Sequence, residues 1–248
     1  MKRKGVRRIL NICICTLKSW NIRLAELLKE RYKDKYNINI VSVKEQLSIN
    51  LLNEFKPDYI FFPHWSYIIP KEIFEKYVCI VFHMTDLPFG RGGSPLQNLI
   101  IRGIKQTKIS ALKVVQELDA GPIYLKNDLM LSGTAEEIYI RASEIIFKEM
   151  IPTIIQSNIK PVNQVGEVVE FKRRKVSESE ITSDMSLEKI YDHIRMLDAE
   201  GYPHSYINFG DYKLILTRPS FKDGKIIADI VIEEGKHEQG TSGSGSPG

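Results

Sequence analysis

Between Val6 and Leu131, short apolar runs alternate with segments of helical spacing, and this alternation limits the possible folds more than any other feature of the chain. Val6 to Cys15 reads as a strand, Asn21 to Tyr32 carries Ile22, Ala25, Leu27 and Leu28 at helical spacing, and Ile38 to Val43 reads as a second strand. A short helix over Gln46 to Phe55 stops before Pro57, and Asp58 to Phe62 is a third strand closed by Pro63. Pro70 opens a helix to Tyr77, and Val78 to Phe82 runs as a fourth strand into His83. Such alternation predicts an α/β fold with a mostly parallel sheet covered on both faces. Ligands of these sheets bind outside the carboxyl ends of the strands, where His83 falls.

Further on, Arg91, Gly92 and Gly93 read as a turn feeding a helix from Pro95 to about Arg102, with Ser94 as N-cap, Pro95 at the first helical position and Gln97 three residues after the cap. Ser110 to Leu118 and Ile123 to Leu131 are further strands, and Thr134 with Glu137 forms a capping box for a long helix to about Ile155. Lys160 to Ser183 is polar without a clean period, with one strand at Glu167 to Phe171. Beyond it come an amphipathic helix, Ser186 to Leu197, and three short strands, Ser205 to Phe209, Tyr212 to Thr217 and Lys225 to Ile232. The expected organisation is a core over 1–160, a connector over 161–183, a small C-terminal α+β subdomain over 184–235 and a tail over 236–248. The closing GTSGSGSPG has linker composition and reads as a cloning remnant.

With 248 residues and 43% hydrophobic content, the chain can bury one substantial core and a small appendage. Its net charge of +4 is local, concentrated in Lys2, Arg3, Lys4, Arg7 and Arg8 and in the KRRK run Lys172 to Lys175. Phosphate tracking needs cations gathered along one groove, so this distribution argues against a nucleic-acid partner. Asn11 and Lys18 interrupt an apolar segment too short for a secretory signal, and no run approaches the length of a membrane span, so a cytoplasmic protein is expected. Cys13, Cys15 and Cys79 lie in strand-like runs without metal-ligand spacing and suit reduced core thiols. No convincing metal-ligand cluster is present.

Two polar residues stand out from the apolar pattern. His83 follows a parallel strand, and a lone histidine there is either a hydrogen-bonded structural residue or an acid/base group. Asp119, in QELDAGPIYL, follows an apolar strand and precedes a Gly-Pro turn that it equally well caps. If the two strands are neighbours, His83 and Asp119 converge at one rim, and a carboxylate there orients the imidazole for proton transfer.

The wording around these residues is more specific than their positions. HMTDLPFGRGGSPLQNLI, from His83, resembles the H-P-S-L-L-P-x-x-x-G-x-x-P-hydrophobic-Q pattern of the 10-formyltetrahydrofolate-dependent formyltransferases, and ELDAGPIYL resembles the same family's E-x-D-x-G-x-hydrophobic segment. The resemblance covers roughly Asp58 to Ser157 and implies a Rossmann-like core. A weaker match, SLEKIYDHIRMLDAEGYPHSYINFGDYKLIL, is similar to the piece that follows the core in methionyl-tRNA formyltransferases and nucleotide-sugar N-formyltransferases. Barely fifty residues remain for the larger basic C-terminal domain usual in the tRNA enzymes. The expected acceptor is therefore the amine of a nucleotide-linked sugar, most like the UDP-4-amino-4,6-dideoxy sugars of pseudaminic-acid-type pathways, with 10-formyltetrahydrofolate as donor.

The resemblance also implies roles. His83 contacts the oxyanion or shuttles a proton, and Asp119 orients it. The donor lies along the backbone of Tyr67, Ile68 and Ile69 and of Gln116, Glu117 and Leu118, walled by Leu87 and Pro88. Arg91, Gly92 and Gly93 lie near the acceptor entrance. The family's Asn two residues before the histidine is here Val81, which cannot donate a hydrogen bond; His64 or Thr85 is expected to replace it, although His64 serves equally well as a strand-end cap. Trp20 stands where a dinucleotide-binding loop would carry glycines, which argues against such a cofactor and suggests packing or stacking. The alternatives are a methionyl-tRNA formyltransferase, which predicts a basic face and salt-dependent binding, and a catalytically impaired folate-binding homologue, which Val81 suggests. A deformylating hydrolase lacks support because its usual extra domain is not visible. The hairpins of the appendage offer a face for a homodimer.

Overall fold

A computed structural model describes residues 8–235. The beginning of the expected first strand and the linker-like tail lie outside the described residues. The chain divides between Arg174 and Lys175 into two compact units.

The first unit is built on β1 (Leu10–Cys15), β2 (Tyr36–Val41), β3 (Tyr59–Phe62) and β4 (Cys79–His83), joined through α1 (Ser19–Tyr32), α2 (Ile49–Phe55) and α3 (Lys71–Phe74). It continues through β5 (Phe89–Gly92), α4 (Pro95–Ile101), β6 (Gln106–Lys113), β7 (Ile123–Met130), α5 (Ala135–Ile145), α6 (Ile151–Ser157) and β8 (Val169–Phe171). The main sheet has the order β2-β1-β3-β4-β6-β7. Pairings among β2, β1, β3 and β4 are parallel, whereas β4–β6 and β6–β7 are antiparallel. This is the expected mostly parallel α/β sheet. The interior strand β1 explains its own composition: Ile12, Cys13, Ile14 and Cys15 are all fully buried, as a strand covered on both faces requires. The three cysteines are free core thiols. Burial pushes the Cys79 thiol up to about 12, which leaves it an inert apolar side chain at neutral pH.

Several boundaries depart from the sequence pattern for physical reasons. Arg91 and Gly92 are not a turn but belong to β5, which pairs in parallel with β8. Ser94 is not a side-chain cap: it sits in the left-handed region, and its Oγ accepts from Arg174 N instead. Gln97 also leaves the expected capping box and donates from its buried amide to the Tyr139 hydroxyl. The Thr134–Glu137 box does form. Its helix is not continuous to Ile155, however, because a π-helical stretch, Ile146–Met150, separates α5 from α6 just before Pro152, which has no N–H to give the preceding turn.

The second unit contains α7 (Leu187–Arg195), β9 (Ser205–Phe209), β10 (Tyr212–Lys222) and β11 (Lys225–Glu234). The sheet order is β11-β10-β9, and Ile181, Ile194 and Leu216 form its small core. β10 outruns the expected end at Thr217 because an irregularity between Thr217 and Ser220 absorbs Pro219. No helix among the described residues is long and apolar enough to cross a membrane.

Candidate active site

β4 delivers His83 to its carboxyl end, where the ring is 9% exposed and Nε2 lies 2.7 Å from Gly90 O. A carbonyl only accepts, so Nε2 carries the hydrogen and the lone pair of the neutral ring sits on Nδ1. Nδ1 in turn lies 3.5 Å from Asp119 Oδ2, whose side chain is only 10% exposed. Asp119 and His83 do come together, but not as two strand ends on one rim. β6 runs antiparallel to β4, with Ser110 opposite His83 and Lys113 opposite Ile80, so β6 ends on the wrong side of the sheet. The chain leaves β6 at Lys113, not Leu118, and loop 114–122 carries Asp119 back to the histidine.

Backbone conformations fix this meeting. Asp119 has φ 53°, a left-handed value uncommon for residues with a β-carbon, and its Oδ2 accepts from Gly92 N at 3.0 Å. Gly90 has φ 81°, and a β-carbon there would stand 2.8 Å from Thr85 Cγ2 and 2.7 Å from the Phe171 ring. Only glycine brings its carbonyl to His83 in this corner. Thr85, fully buried, donates to the same carbonyl at 3.3 Å. Ser110 supports the next turn, donating to Thr85 O at 2.7 Å and accepting from Leu87 N. Leu87 and Pro88 are buried and joined by a cis peptide.

The remaining expected residues fall into three settings. Val81 packs against the core cluster that contains Phe62 and Cys79, so a hydrocarbon side chain suits its place. In the two segments expected to meet the donor, Ile68 is 95% and Leu118 70% exposed, Tyr67, Gln116 and Glu117 are open, and Ile69 is buried. Arg91 reaches Glu117 Oε1 at 3.2 Å and Gln164 Oε1 at 2.9 Å, and Gly93 N donates to Phe171 O. His64 belongs to a different cluster: its Nδ1 lies 3.0 Å from Asn21 Nδ2 and 3.3 Å from Ser143 Oγ, its ring meets Tyr139 edge-on, and its backbone has φ 50°. Burial, assisted by the Lys18 charge, lowers its pKa to about 4. Trp20 is half-buried, with Lys18 Nζ 5.6 Å from its ring centroid.

Sequence reasoning missed Gln164 and Ser110. Gln164 Nε2 donates to Asp119 O and Gly121 O, yet it sits in a polar stretch with no periodicity to mark it. Ser110 interrupts an apolar strand opposite His83, and that interruption was the only available signal. An open depression of about 350 Å³ bordered by Asp86, Phe89, Leu99 and Thr107 shares no residue with the His83–Asp119 pair. Among the described residues, no group of three or more His, Cys, Asp or Glu is placed to hold a metal ion.

The formyl transferase family model matches residues 25–153, and the model of the methionyl-tRNA formyltransferase C-terminal domain matches residues 176–233. The methionyl-tRNA formyltransferase of Rickettsia felis is 30% identical over 176 residues, which cover 68% of this chain and 57% of that protein. The chain thus spans little more than half the length of the curated relatives it matches. A solved methionyl-tRNA formyltransferase from Clostridium thermocellum is 57% identical with a TM-score of 0.90, covering 92% of this chain and 100% of that one. A sugar N-formyltransferase from a Shewanella species reaches a TM-score of 0.64 at 14% identity, covering 92% and 99% of the two chains, a likeness of fold alone.

These matches overturn the expected nucleotide-sugar acceptor and, with it, the expectation of a small-molecule partner in place of nucleic acid. The expectation rested on compact size, and size does not discriminate: the Clostridium chain is covered end to end by this one. The family model spans just over half of the chain and brackets both His83 and Asp119, so the chain belongs to the formyl transferase family.

Proposed function

We propose that the chain is an N-formyltransferase that moves the formyl group of 10-formyltetrahydrofolate to the amine of methionyl-tRNA. The observation that carries this reading is the 57% identity over 92% of the chain to a methionyl-tRNA formyltransferase. A second feature supports the acceptor. The basic run Lys172 to Arg174 leaves β8 alongside the Gly92–Gly93 end of β5, where Arg173 Cα lies 2.7 Å from the place a Gly93 β-carbon would take. Lys172, Arg173 and the nearby Arg102, whose guanidinium covers Phe171, are exposed. Part of the local charge that argued against nucleic acid, Lys172 to Arg174, therefore lies beside Gly92 and Gly93, which this reading takes as the acceptor entrance and where cations can meet phosphates. A charged tRNA substrate is compatible with the expected cytoplasmic location.

The residues present suit the donor: exposed Ile68 and Leu118 offer apolar surface beside accessible backbone of the segments 67–69 and 116–118. When bound, the donor would supply an activated formyl carbon, which the acceptor amine attacks; the carbon's bond to the donor nitrogen breaks, and that nitrogen leaves with a proton as tetrahydrofolate. The chain then has to remove a proton from the resulting ammonium and hold charge on the formyl oxygen. His83 Nδ1 takes the proton, because Nε2–H is committed to Gly90 O. Proton uptake turns Nδ1 into a donor facing Asp119 Oδ2, which stabilises the imidazolium while Gly92 N holds the carboxylate in place. Thr85 bears on the site more closely than His64, whose ring is engaged by Asn21 and Ser143: its one hydroxyl hydrogen goes to Gly90 O, so it steadies the carbonyl that aims His83 rather than replacing the amide donor missing at Val81.

The test is tetrahydrofolate release from 10-formyltetrahydrofolate with methionyl-tRNA, with a panel of aminosugar nucleotides, and with no acceptor. Turnover is expected with methionyl-tRNA alone, and it weakens steeply between about 50 and 200 mM salt. Turnover with aminosugars but not with the tRNA would sink the reading.

A further inference from the structure

We propose that Gln164 is a positioning residue that locks the left-handed Asp119 turn so that its carboxylate faces His83. Its side-chain amide is fully engaged. Nε2 donates to Asp119 O at 2.7 Å and to Gly121 O at 2.9 Å, while Oε1 accepts from Arg91 Nε at 3.2 Å and Nη2 at 2.9 Å. Two donors and two acceptor positions are all that such an amide has. One residue thus ties together β5, through Arg91, and the returning loop 114–122, through the two carbonyls on either side of Ala120.

The clamp is itself anchored. Ile123 N donates to Val162 O at 2.8 Å and Val162 N to Ile123 O at 2.9 Å, which pins the strand leading to Gln164 against the start of β7. Arg91, only 14% exposed, extends the network to Glu117 at 3.2 Å, so its guanidinium holds the loop instead of reaching for the acceptor. A residue with a β-carbon resists φ 53° unless neighbours hold it there. Without the amide the turn relaxes, Asp119 Oδ2 leaves Gly92 N and His83 Nδ1, and the backbone of Gln116 to Leu118 moves with it.

The activity readout rests on the formyl-transfer reading; amide hydrogen exchange does not. Gln164→Ala and Gln164→Glu are made in the full chain, each in the native and the Asp119→Asn background, and assayed for methionyl-tRNA formylation and for exchange in residues 114–122. The glutamate keeps an acceptor for Arg91 but presents no donor to Asp119 O and Gly121 O, so both variants share one outcome. Each lowers kcat by roughly 10–100-fold with KM for the tRNA changed by less than about threefold, as expected when a reacting group is misplaced while the binding surface stays intact. In the Asp119→Asn background the further loss shrinks to within about twofold. Exchange in 114–122 accelerates, while β1–β4 stay protected. Equal losses in both backgrounds, native turnover by Gln164→Ala, or unchanged exchange in 114–122 would overturn the proposal. A native chain inactive on methionyl-tRNA would defeat the functional reading, and the exchange result would still decide the clamp.

Discussion

Two histidines stand at the carboxyl ends of neighbouring parallel strands, His64 just beyond β3 and His83 at the end of β4, and they meet opposite kinds of partner. His83 faces acceptors on both sides, the Gly90 carbonyl and the Asp119 carboxylate. His64 faces an amide donor, Asn21 Nδ2, and its Nε2 is enclosed with no acceptor. A donor against one nitrogen and an enclosed, unpartnered second nitrogen offer a charged His64 ring no acceptor. Partner type and burial together separate the two rings: acceptors flank His83, whereas burial, the larger cause, and a donor partner keep His64 neutral.

The comparison breaks most easily at its active half. His83→Ala removes the proton acceptor and should lower kcat/KM for methionyl-tRNA formylation by about 10³-fold, within the range that a positioned acid/base group supplies. Asp119→Asn keeps the acceptor for Gly92 N but removes the charge that steadies the imidazolium, and about 10²-fold is expected. A His83→Ala variant within about tenfold of native turnover would place the chemistry elsewhere.

Why one histidine was legible and the network around it was not follows from the range of the interactions. His83 ends an apolar run and opens a motif, so local pattern finds it, and the order of the first four strands is written in their apolar periodicity. Loop 114–122 looked like the end of a strand because Val114, Val115 and Leu118 continue the apolar pattern; its reversal depends on β6 running antiparallel to β4, a property of pairing rather than composition. Arg91–Gly93 read as a turn because their partner strand lies some eighty residues away. Ser94 carries every local feature of a cap, yet the N–H it accepts from belongs to Arg174. Gln164 has no local signal because its four bonds reach β5 and the Asp119 loop, neither near it in sequence. The acceptor was misjudged for another reason: chain length does not encode which amine enters the site.

A smaller effect sharpens the contrast at Thr85. Thr85→Val keeps the buried volume and removes the hydroxyl, so turnover should fall about tenfold, the equivalent of one hydrogen bond worth about 1.4 kcal/mol, with KM for the tRNA little changed. Thr85→Ser should retain most activity. If Thr85→Val turns over like the native chain, the hydroxyl has no part in steadying the Gly90 carbonyl that aims His83.

The smallest effect on turnover, and the cleanest on stability, belongs to His64. His64→Gln should leave formylation within about twofold, since Asn21, Ser143 and Tyr139, which meet this ring, are distinct from Gly90 and Asp119, which meet His83. Its signature is acid sensitivity. Burial holds the folded-state pKa at about 4, below the ordinary 6.5, so between those values the unfolded chain binds a proton that the folded chain refuses. The contribution of His64 is thus fully present above about pH 6.5 and is lost as pH falls toward about 4. The residue as a whole is only partly buried, which softens the penalty to about 2–3 kcal/mol across that window. Urea unfolding of the native chain and His64→Gln at about pH 7.5 and pH 4.5 reads it directly: carboxylates common to both chains cancel, and the variant should gain about 2 kcal/mol relative to the native chain on acidification. An identical difference at the two pH values would mean that His64 takes up its proton in the fold as readily as outside it, and the distinction between the two histidines would collapse.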